Sequence, residues 1–287
     1  MHVSEDTKGQ LVVVATPLGN LGDISRRALE LLEIADVIYC EDTRRSSTLF
    51  SANSIPVNGR LRTLHEHNEA SLCAQIIDQV ATRHVVVLIS DAGTPGISDP
   101  GNRVVAAVIA AGLVVTTAPG PSAVIAALSV SGLPTERFVM EGFLPRKAGE
   151  RERLYSRWLH EERTIVFYES PQRLVATLRE IAETLGARRI AVARELTKIH
   201  EEVVRGTVEG VAQQLSQREV LGEIVVVLEG SNEVEVIDDE VVRAAIRDQV
   251  SNGASTRDAV SYVAESFGVA HRVVYQMALD LRSGDKA

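Results

Sequence analysis

The stretch from Val85 to Gly101, VVVLISDAGTPGISDPG, constrains this chain more than any other. Five apolar residues, Val85 to Ile89, have the continuous character of a strand buried on both faces of a parallel sheet. The twelve residues that follow, Ser90 to Gly101, contain three Gly, two Pro and two Asp. Gly accepts positive φ and close backbone approach, and Pro fixes φ and removes a donor, so a segment dense in both is held in one unusual shape. At the C-terminal edge of a parallel sheet such a shape is a ligand platform or a tight strand-to-helix turn, and the loop alone does not choose between them.

Two other apolar runs break the same way. Leu11 to Ala15 opens into TPLGNLGDIS, and Leu113 to Thr117 opens into APGPSA at 118–123. Between them, Ala28, Leu29, Leu32 and Ala35 recur at helical spacing behind a cap at Asp23 or Ser25, and Val37 to Cys40 returns to strand character. Strand, loop, helix and strand within a few dozen residues is the unit that builds a parallel sheet by right-handed crossover. Helices are expected over 69–83, 103–111 and the Ala-rich 122–131.

GlyLeuProThr at 132–135 reads as a boundary. Beyond it, strands are expected at 138–143, 164–168, 189–193 and 224–228, with helices at 149–159, 171–185 and 208–215 between them. Residues 231–240 read as a linker. Helices at 240–249, 255–266 and 270–281 follow, the last two joined by a short turn at Gly268. The apolar pattern Ala259, Val260, Val263, Ala264, Val273, Val274 and Met277 fits a helix-turn-helix or a small helical cap that simply packs. The fold class is therefore α/β: domains at 11–133 and 134–230, then a helical extension at 240–283.

The chain of 287 residues carries a net charge of −9, which argues against a strongly basic nucleic-acid binder. The charge is uneven. Residues 1–133 hold 9 basic and 13 acidic side chains, 134–230 hold 15 and 16, and 231–287 hold 6 and 10, so the middle is the least acidic part. There Arg146, Lys147, Arg151, Arg153, Arg157 and Arg163 surround Tyr155 and Trp158, a cluster that suits phosphates or a solvated helix face with paired charges. No apolar run has the length of a membrane span, and the first ten residues lack the pattern of a signal peptide, so the expected location is the cytoplasm. Cys40 and Cys73 have no metal or disulfide spacing. His65 and His67 stand two apart without a third ligand, so no metal is expected.

Neither GxxxxGK[ST] nor a strand-linked GxGxxG is present, and Ser122 lacks the GxSxG context of a nucleophile elbow. What remains is a ligand with polar hydroxyls and a flat apolar ring, held by loop backbone and small residues.

TPLGNLGDIS (16–25), CEDTRR (40–45), SDAGTPGISDPG (90–101), APGPSA (118–123), GFLPRK (142–147), FYESPQR (167–173) and ARELTKIHEE (193–202) together resemble the ribosomal RNA small-subunit methyltransferase I family. That family is the 2′-O-ribose branch of the tetrapyrrole-methylase-like (class III methyltransferase) fold. The resemblance runs in order from about residue 11 to 230. It implies two α/β domains with S-adenosylmethionine in the cleft between them and a homodimer. It also implies methylation of a cytidine 2′-hydroxyl in the decoding region of 16S ribosomal RNA, in the small ribosomal subunit. By position, Pro17, Gly93, Thr94, Ile97, Ser122 and Ala123 would line the cofactor from the first domain, and Tyr168 and Leu196 from the second. The wider tetrapyrrole methylases have Gly-Asp-Pro where Gly93, Thr94 and Pro95 stand, so Asp91 would supply the acidic contact.

The sulfonium already activates the methyl group, so the protein must mainly align the attacking oxygen and exclude water. A carboxylate within reach would assist deprotonation of the ribose hydroxyl. Glu169 or Asp91 is the candidate base, and Arg44 or Lys198 the candidate for orienting RNA. A tetrapyrrole methyltransferase and a non-catalytic RNA-binding protein remain the alternatives.

Overall fold

The computed structural model describes residues 9–231, 239–267, 269 and 271–284. They fall into two compact units, residues 1–231 and 232–287.

The first unit begins with β1 (Gln10–Val14), α1 (Arg26–Ile34), β2 (Val37–Cys40), α2 (Thr43–Ala52), β3 (Leu61–Thr63), α3 (Glu69–Ala81), β4 (Val85–Leu88), α4 (Asn102–Ala110), β5 (Val114–Ala118) and α5 (Ala123–Ser131). Its five strands form one parallel sheet in the order β3-β2-β4-β1-β5. The uninterrupted apolar runs follow from cover on both faces. Val12 and Val14 of β1 pack with Ala28 and Leu32 of α1, whereas Leu11 packs with Ile76 of α3 and Val104 of α4. Each of these Val, Leu and Ile side chains contributes roughly 1.5–3 kcal/mol by leaving water. Val13 is level with Leu88 of β4 and with Thr117 of β5, so the loops after these three strands emerge side by side.

A second sheet follows, made of β6 (Phe138–Phe143), β7 (Thr164–Glu169), β8 (Arg189–Arg194), β9 (Glu202–Thr207) and β10 (Ile224–Leu228), in the order β6-β7-β10-β8-β9. Only β6 and β7 are parallel; β10 runs against both β7 and β8, and β9 against β8. One face packs on α6 (Ala148–Trp158), α7 (Pro171–Leu185) and α8 (Val208–Leu215) through Ile165, Phe167, Trp158, Leu178 and Val211. The other face is covered by α5, whose Val124, Ala127 and Leu128 meet Val166, Ala191, Ala193, Val225 and Val227. Helix α5 thus precedes the boundary expected at 133/134 yet packs beyond it, which ties the two sheets into one unit.

Three elements escape sequence patterning. Helix α2 buries only Ser46, Leu49 and Phe50, a short stripe with a polar member. β3 has three residues, and β9 is an edge strand with mostly polar outward side chains. The segment after Cys40 is the capped start of a helix, with the Asp42 carboxylate accepting from the Arg44 N–H at 2.8 Å.

In the second unit, α9 (Asp239–Ser251), α10 (Thr256–Phe267) and α11 (His271–Gly284) share a core of Val242, Ile246, Val260, Val263, Val274, Met277 and Ala278. Val273, counted among the apolar pattern, is instead exposed beside the buried Val274. The expected turn residue Gly268, most of the expected linker and eight of the first ten residues lie outside the described residues. Among the described residues no helix is long and apolar enough to cross a membrane.

Loop 90–101 is anchored at its far end by a buried carboxylate. Glu69, at the start of α3, accepts from the N–H groups of Gly101, Arg103 and Val104 at 3.0, 2.8 and 3.3 Å. Those are free donors of the first turn of α4. Replacing Glu69 by Ala strands them in a buried place, so urea unfolding is expected to show a loss of about 1–3 kcal/mol, with Glu69→Gln intermediate.

Candidate active site

The three Gly/Pro loops of the first sheet are fastened to each other before they reach any ligand. Thr16 and Gly93 exchange both backbone hydrogen bonds, at 2.8 and 3.0 Å, and form an isolated antiparallel bridge between the first loop and the central one. The Thr16 hydroxyl donates to the Ser90 carbonyl at 3.1 Å, and the Thr94 hydroxyl donates to the Pro121 carbonyl at 3.1 Å, which joins the central loop to the third. Gly93 has φ +81°, a conformation that favours glycine, and a Cβ there would press on the Leu18 side chain at 3.3 Å.

Facing these loops are the ends of the second sheet. Because β10 is antiparallel to β7 and β8, its first residue, Ile224, sits beside Glu169 and Arg194, the last residues of those strands. Gly222 to Val225 therefore join Tyr168, Ala193 and Leu196 on one wall. Between that wall and the loops lies a cavity of about 660 Å³. Its first-sheet side includes Leu18, Glu41, Arg45, Asp91, Gly93, Thr94, Ile97, Asp99, Ser122 and Ala123.

Most of the residues singled out in the sequence meet here. Asp91, Gly93, Thr94, Ile97, Ser122, Ala123, Tyr168 and Leu196 all line the cavity. Pro17 does not; its neighbour Leu18 takes that place. Thr94 has its hydroxyl proton engaged by Pro121, so it offers a ligand lone pairs rather than a donor. Ser122 makes no capping hydrogen bond at the start of α5, whose free first-turn amides add partial positive charge at this wall.

The candidate catalytic residues fare differently. Glu169 borders the cavity, but its carboxylate is fully buried, and the pleat points it with Phe167 toward α7, away from the cavity face of Tyr168. There it accepts from the Ser170 N–H at 2.7 Å and the Thr177 hydroxyl at 2.8 Å, and pairs with Arg173 at 3.4 Å. Arg173 in turn donates to the carbonyls of Leu144 and Pro145. Glu169 is thus the hub that holds 144–145 against α7, and its geometry does not suit a base.

Lys198 is also withdrawn from the cavity. Its ammonium pairs with Glu195 at 2.8 Å and Glu223 at 3.0 Å, and its stem lies on Gly19, where a Cβ would approach Lys198 Cγ to 2.3 Å. It clamps the first loop to the second sheet. Arg44 is 90% exposed and folds back onto Asp42, whose carboxyl its hydrogen bonds hold down at about 2. One residue on, a turn of about 100° for a helix, Arg45 lines the cavity and pairs with Asp91 at 3.4 Å. Asp91 also accepts from the Asp42 N–H at 3.0 Å, so its carboxylate is engaged on both oxygens.

Sequence reasoning passed over Glu41, Asp99 and Glu223. Asp99 stands in the loop already marked as special. Burial, with Glu41 second, pushes its carboxyl up to about 6. Burial and then Asp91 raise Glu41, and burial and then Asp99 raise Tyr168. Glu223 precedes a strand, and only the reversed direction of β10 brings a strand start to this edge. The wall is acidic, with small and apolar faces, a composition for a flat ring and a positively charged group.

Other candidates resolve as structure. His65 and His67 pack edge to face at 5.9 Å, and the backbone N–H of His65 donates to the Asn68 side-chain oxygen. Among the described residues no group of three or more His, Cys, Asp or Glu could hold a metal ion. In the basic cluster, Arg151 pairs with Glu180, Arg163 with Glu161 and Lys147 with Glu150, while Arg146, Arg153 and Arg157 remain on the surface.

Residues 10–212 match the model of the tetrapyrrole (corrin/porphyrin) methylases. The chain is 44% identical over 278 residues to ribosomal RNA small subunit methyltransferase I of Mycobacterium tuberculosis strain CDC 1551, with 96% of each chain covered. To the protein of that name from Xylella fastidiosa it is 46% identical over 228 residues, 78% of this chain and 83% of the relative. Among solved structures, a cobalt precorrin-4 methyltransferase superposes with a TM-score of 0.58 at 17% identity, covering 77% of this chain and 94% of that one, which is a likeness of fold.

If Glu169 is a structural hub, Glu169→Ala leaves Arg173 and Thr177 without their buried partner. Chemical denaturation is expected to show a loss of about 1–3 kcal/mol, the cost of leaving the buried Thr177 hydroxyl and the Ser170 N–H without their acceptor.

Proposed function

From the premise that the chain belongs to the tetrapyrrole methylase family and within it to the ribosomal RNA small subunit methyltransferases I, we propose that it methylates the 2′-hydroxyl of a cytidine in the decoding region of 16S ribosomal RNA. The methyl donor of this family is S-adenosylmethionine. The observation that carries the reading is the acid-lined cavity closed by loops of both sheets.

The residues present suit that donor. A sulfonium and an α-ammonium are cations, and Asp91, Asp99, Glu41 and Glu223 surround the space with negative charge. Leu18, Ile97, Leu196 and Tyr168 offer apolar faces for an adenine ring, and the amide end of α5 suits a carboxylate. Bound there, the donor supplies an electrophilic methyl carbon with a neutral thioether as leaving group.

The chain's own part is to orient and to desolvate. The bridge between Thr16 and Gly93 and the Thr94–Pro121 bond keep one wall rigid, so the acceptor oxygen meets a fixed target. Polyanionic RNA is repelled from the acidic interior, which admits a neutral ribose and leaves phosphates at the rim. There Arg45, largely exposed and bordering the cavity, is a cation for them, with Arg44 one residue before it. The same repulsion disfavours a polyanionic tetrapyrrole enclosed in the cavity. A homodimer acting on the small ribosomal subunit in the cytoplasm completes the proposal.

Incubation with methyl-labelled S-adenosylmethionine and 30S subunits lacking the modification tests it. Label is expected in 16S RNA at a dinucleotide that resists alkali, because a 2′-O-methyl group removes the internal nucleophile of hydrolysis. Label on a base, or only on an added tetrapyrrole, would overturn the reading.

A further inference from the structure

Strand β6 slips register at its end. Phe138, Val139 and Met140 pair in step with Thr164, Ile165 and Val166 of β7, but the next pair is Phe143 with Tyr168, so β6 holds one residue more than β7 over this stretch. In unbroken register Phe143 would stand opposite Glu169 and share its face, toward α7. The extra residue reverses the alternation and turns Phe143 to the face of Tyr168, where both rings line the cavity with centroids 5.3 Å apart. Glu141, before the slip, keeps the regular phase and accepts from the buried Trp158 indole N–H at 3.2 Å.

The ring is held from both sides along the chain. Gly142 takes the bulge at φ +70°, in the region that favours glycine, and lies against Ser98 of the loop after β4, which a Cβ there would approach to 3.6 Å. Leu144 is buried in the core of the second sheet, and the carbonyls of Leu144 and Pro145 accept from Arg173. Phe143 is fixed between these anchors and is still 63% exposed. Strand β6 is the edge of its sheet, in the order β6-β7-β10-β8, so the second wall runs from Leu196 after β8 through Val225 and Tyr168 to Phe143 as its outermost member.

Resting on the methyl-transfer reading above, we propose that Phe143 is the platform on which the base of the acceptor nucleotide stacks, so that the 2′-hydroxyl of the same nucleotide is presented to the cavity. Single-stranded RNA is recognised by splaying its bases onto aromatic faces, and such stacking requires no charge. A neutral ring therefore receives the base where the acidic interior repels the phosphates. Phe143 stands one strand outside Tyr168, so a base on it does not compete with the donor for the inner wall. A bulge that re-aims one side chain at the mouth of a site has a use here that packing does not supply, because the re-aimed ring is mostly left in water.

Three substitutions in the full chain test this: Phe143→Ala, Phe143→Leu and Phe143→Tyr. The side chain is exposed, so all three variants are expected to fold. With S-adenosylmethionine saturating, Phe143→Ala is expected to lower kcat/KM for undermethylated 30S subunits by about 10- to 100-fold, through KM more than kcat, the size of one lost base stack. Phe143→Leu, apolar but without an aromatic face, is expected to fall nearly as far, and Phe143→Tyr to keep nearly the wild-type value. Calorimetry without RNA is expected to give the same S-adenosylmethionine affinity for the wild type and the three variants. Phe143→Ala at the wild-type kcat/KM, or Phe143→Leu as active as Phe143→Tyr, overturns the platform. So does a loss confined to donor affinity, which would give the ring to the donor instead. Absence of 2′-O-methyl product from the wild type overturns the functional reading on which the proposal rests.

Discussion

The pair of backbone hydrogen bonds between Thr16 and Gly93 is the constraint on which the rest of the site depends. Loops that leave a parallel sheet have no ladder to hold them, and three Gly/Pro segments side by side would sample many shapes. The Thr16–Gly93 bridge, the Thr94–Pro121 bond and the Glu69 cap on α4 convert them into one surface. That surface is rigid without a core beneath it, which is what a cavity wall requires. The second wall is brought up by α5, which leaves the third loop and lays its apolar face on the second sheet. One chain segment thus ends the first wall and fastens the second.

Electrostatics divides the labour among similar side chains. Arginines and Lys198 are spent holding particular carboxylates, so what faces the cavity is a net negative field in which, among the described residues, neither Glu41 nor Asp99 has an ion pair. Repulsion within such a group costs stability at neutral pH and is kept where charge must act. A cationic methyl donor draws benefit from the whole field.

Much of this was legible in residues. Strands at 37–40 and 224–228 and helices at 171–185 and 208–215 coincide with their sequence patterns, because each is buried on at least one face and bounded by Gly, Pro or a cap. The convergence of three loops was legible too, since strands in one parallel sheet end together. What escaped depends on direction and register. Polar α2 hid its helical phase, so Arg44 was preferred to Arg45 although only the latter turns inward. Glu169 looked catalytic from its position after a strand, but alternation along β7 sends it to the opposite face from Tyr168. Glu223 was invisible because strand direction in a mixed sheet is not written in apolar periodicity. Asp99 lay within the marked loop, and only the fold shows that it is the acid there without a cation.

Amide hydrogen exchange with and without S-adenosylmethionine tests the central claim most directly, that loops of the two sheets jointly enclose the methyl donor. Joint enclosure predicts added protection in both 91–99 and 222–225, together with 193–196. Protection confined to one sheet's loops, or appearing at the basic helix 148–158 while the cavity segments stay unchanged, would contradict it.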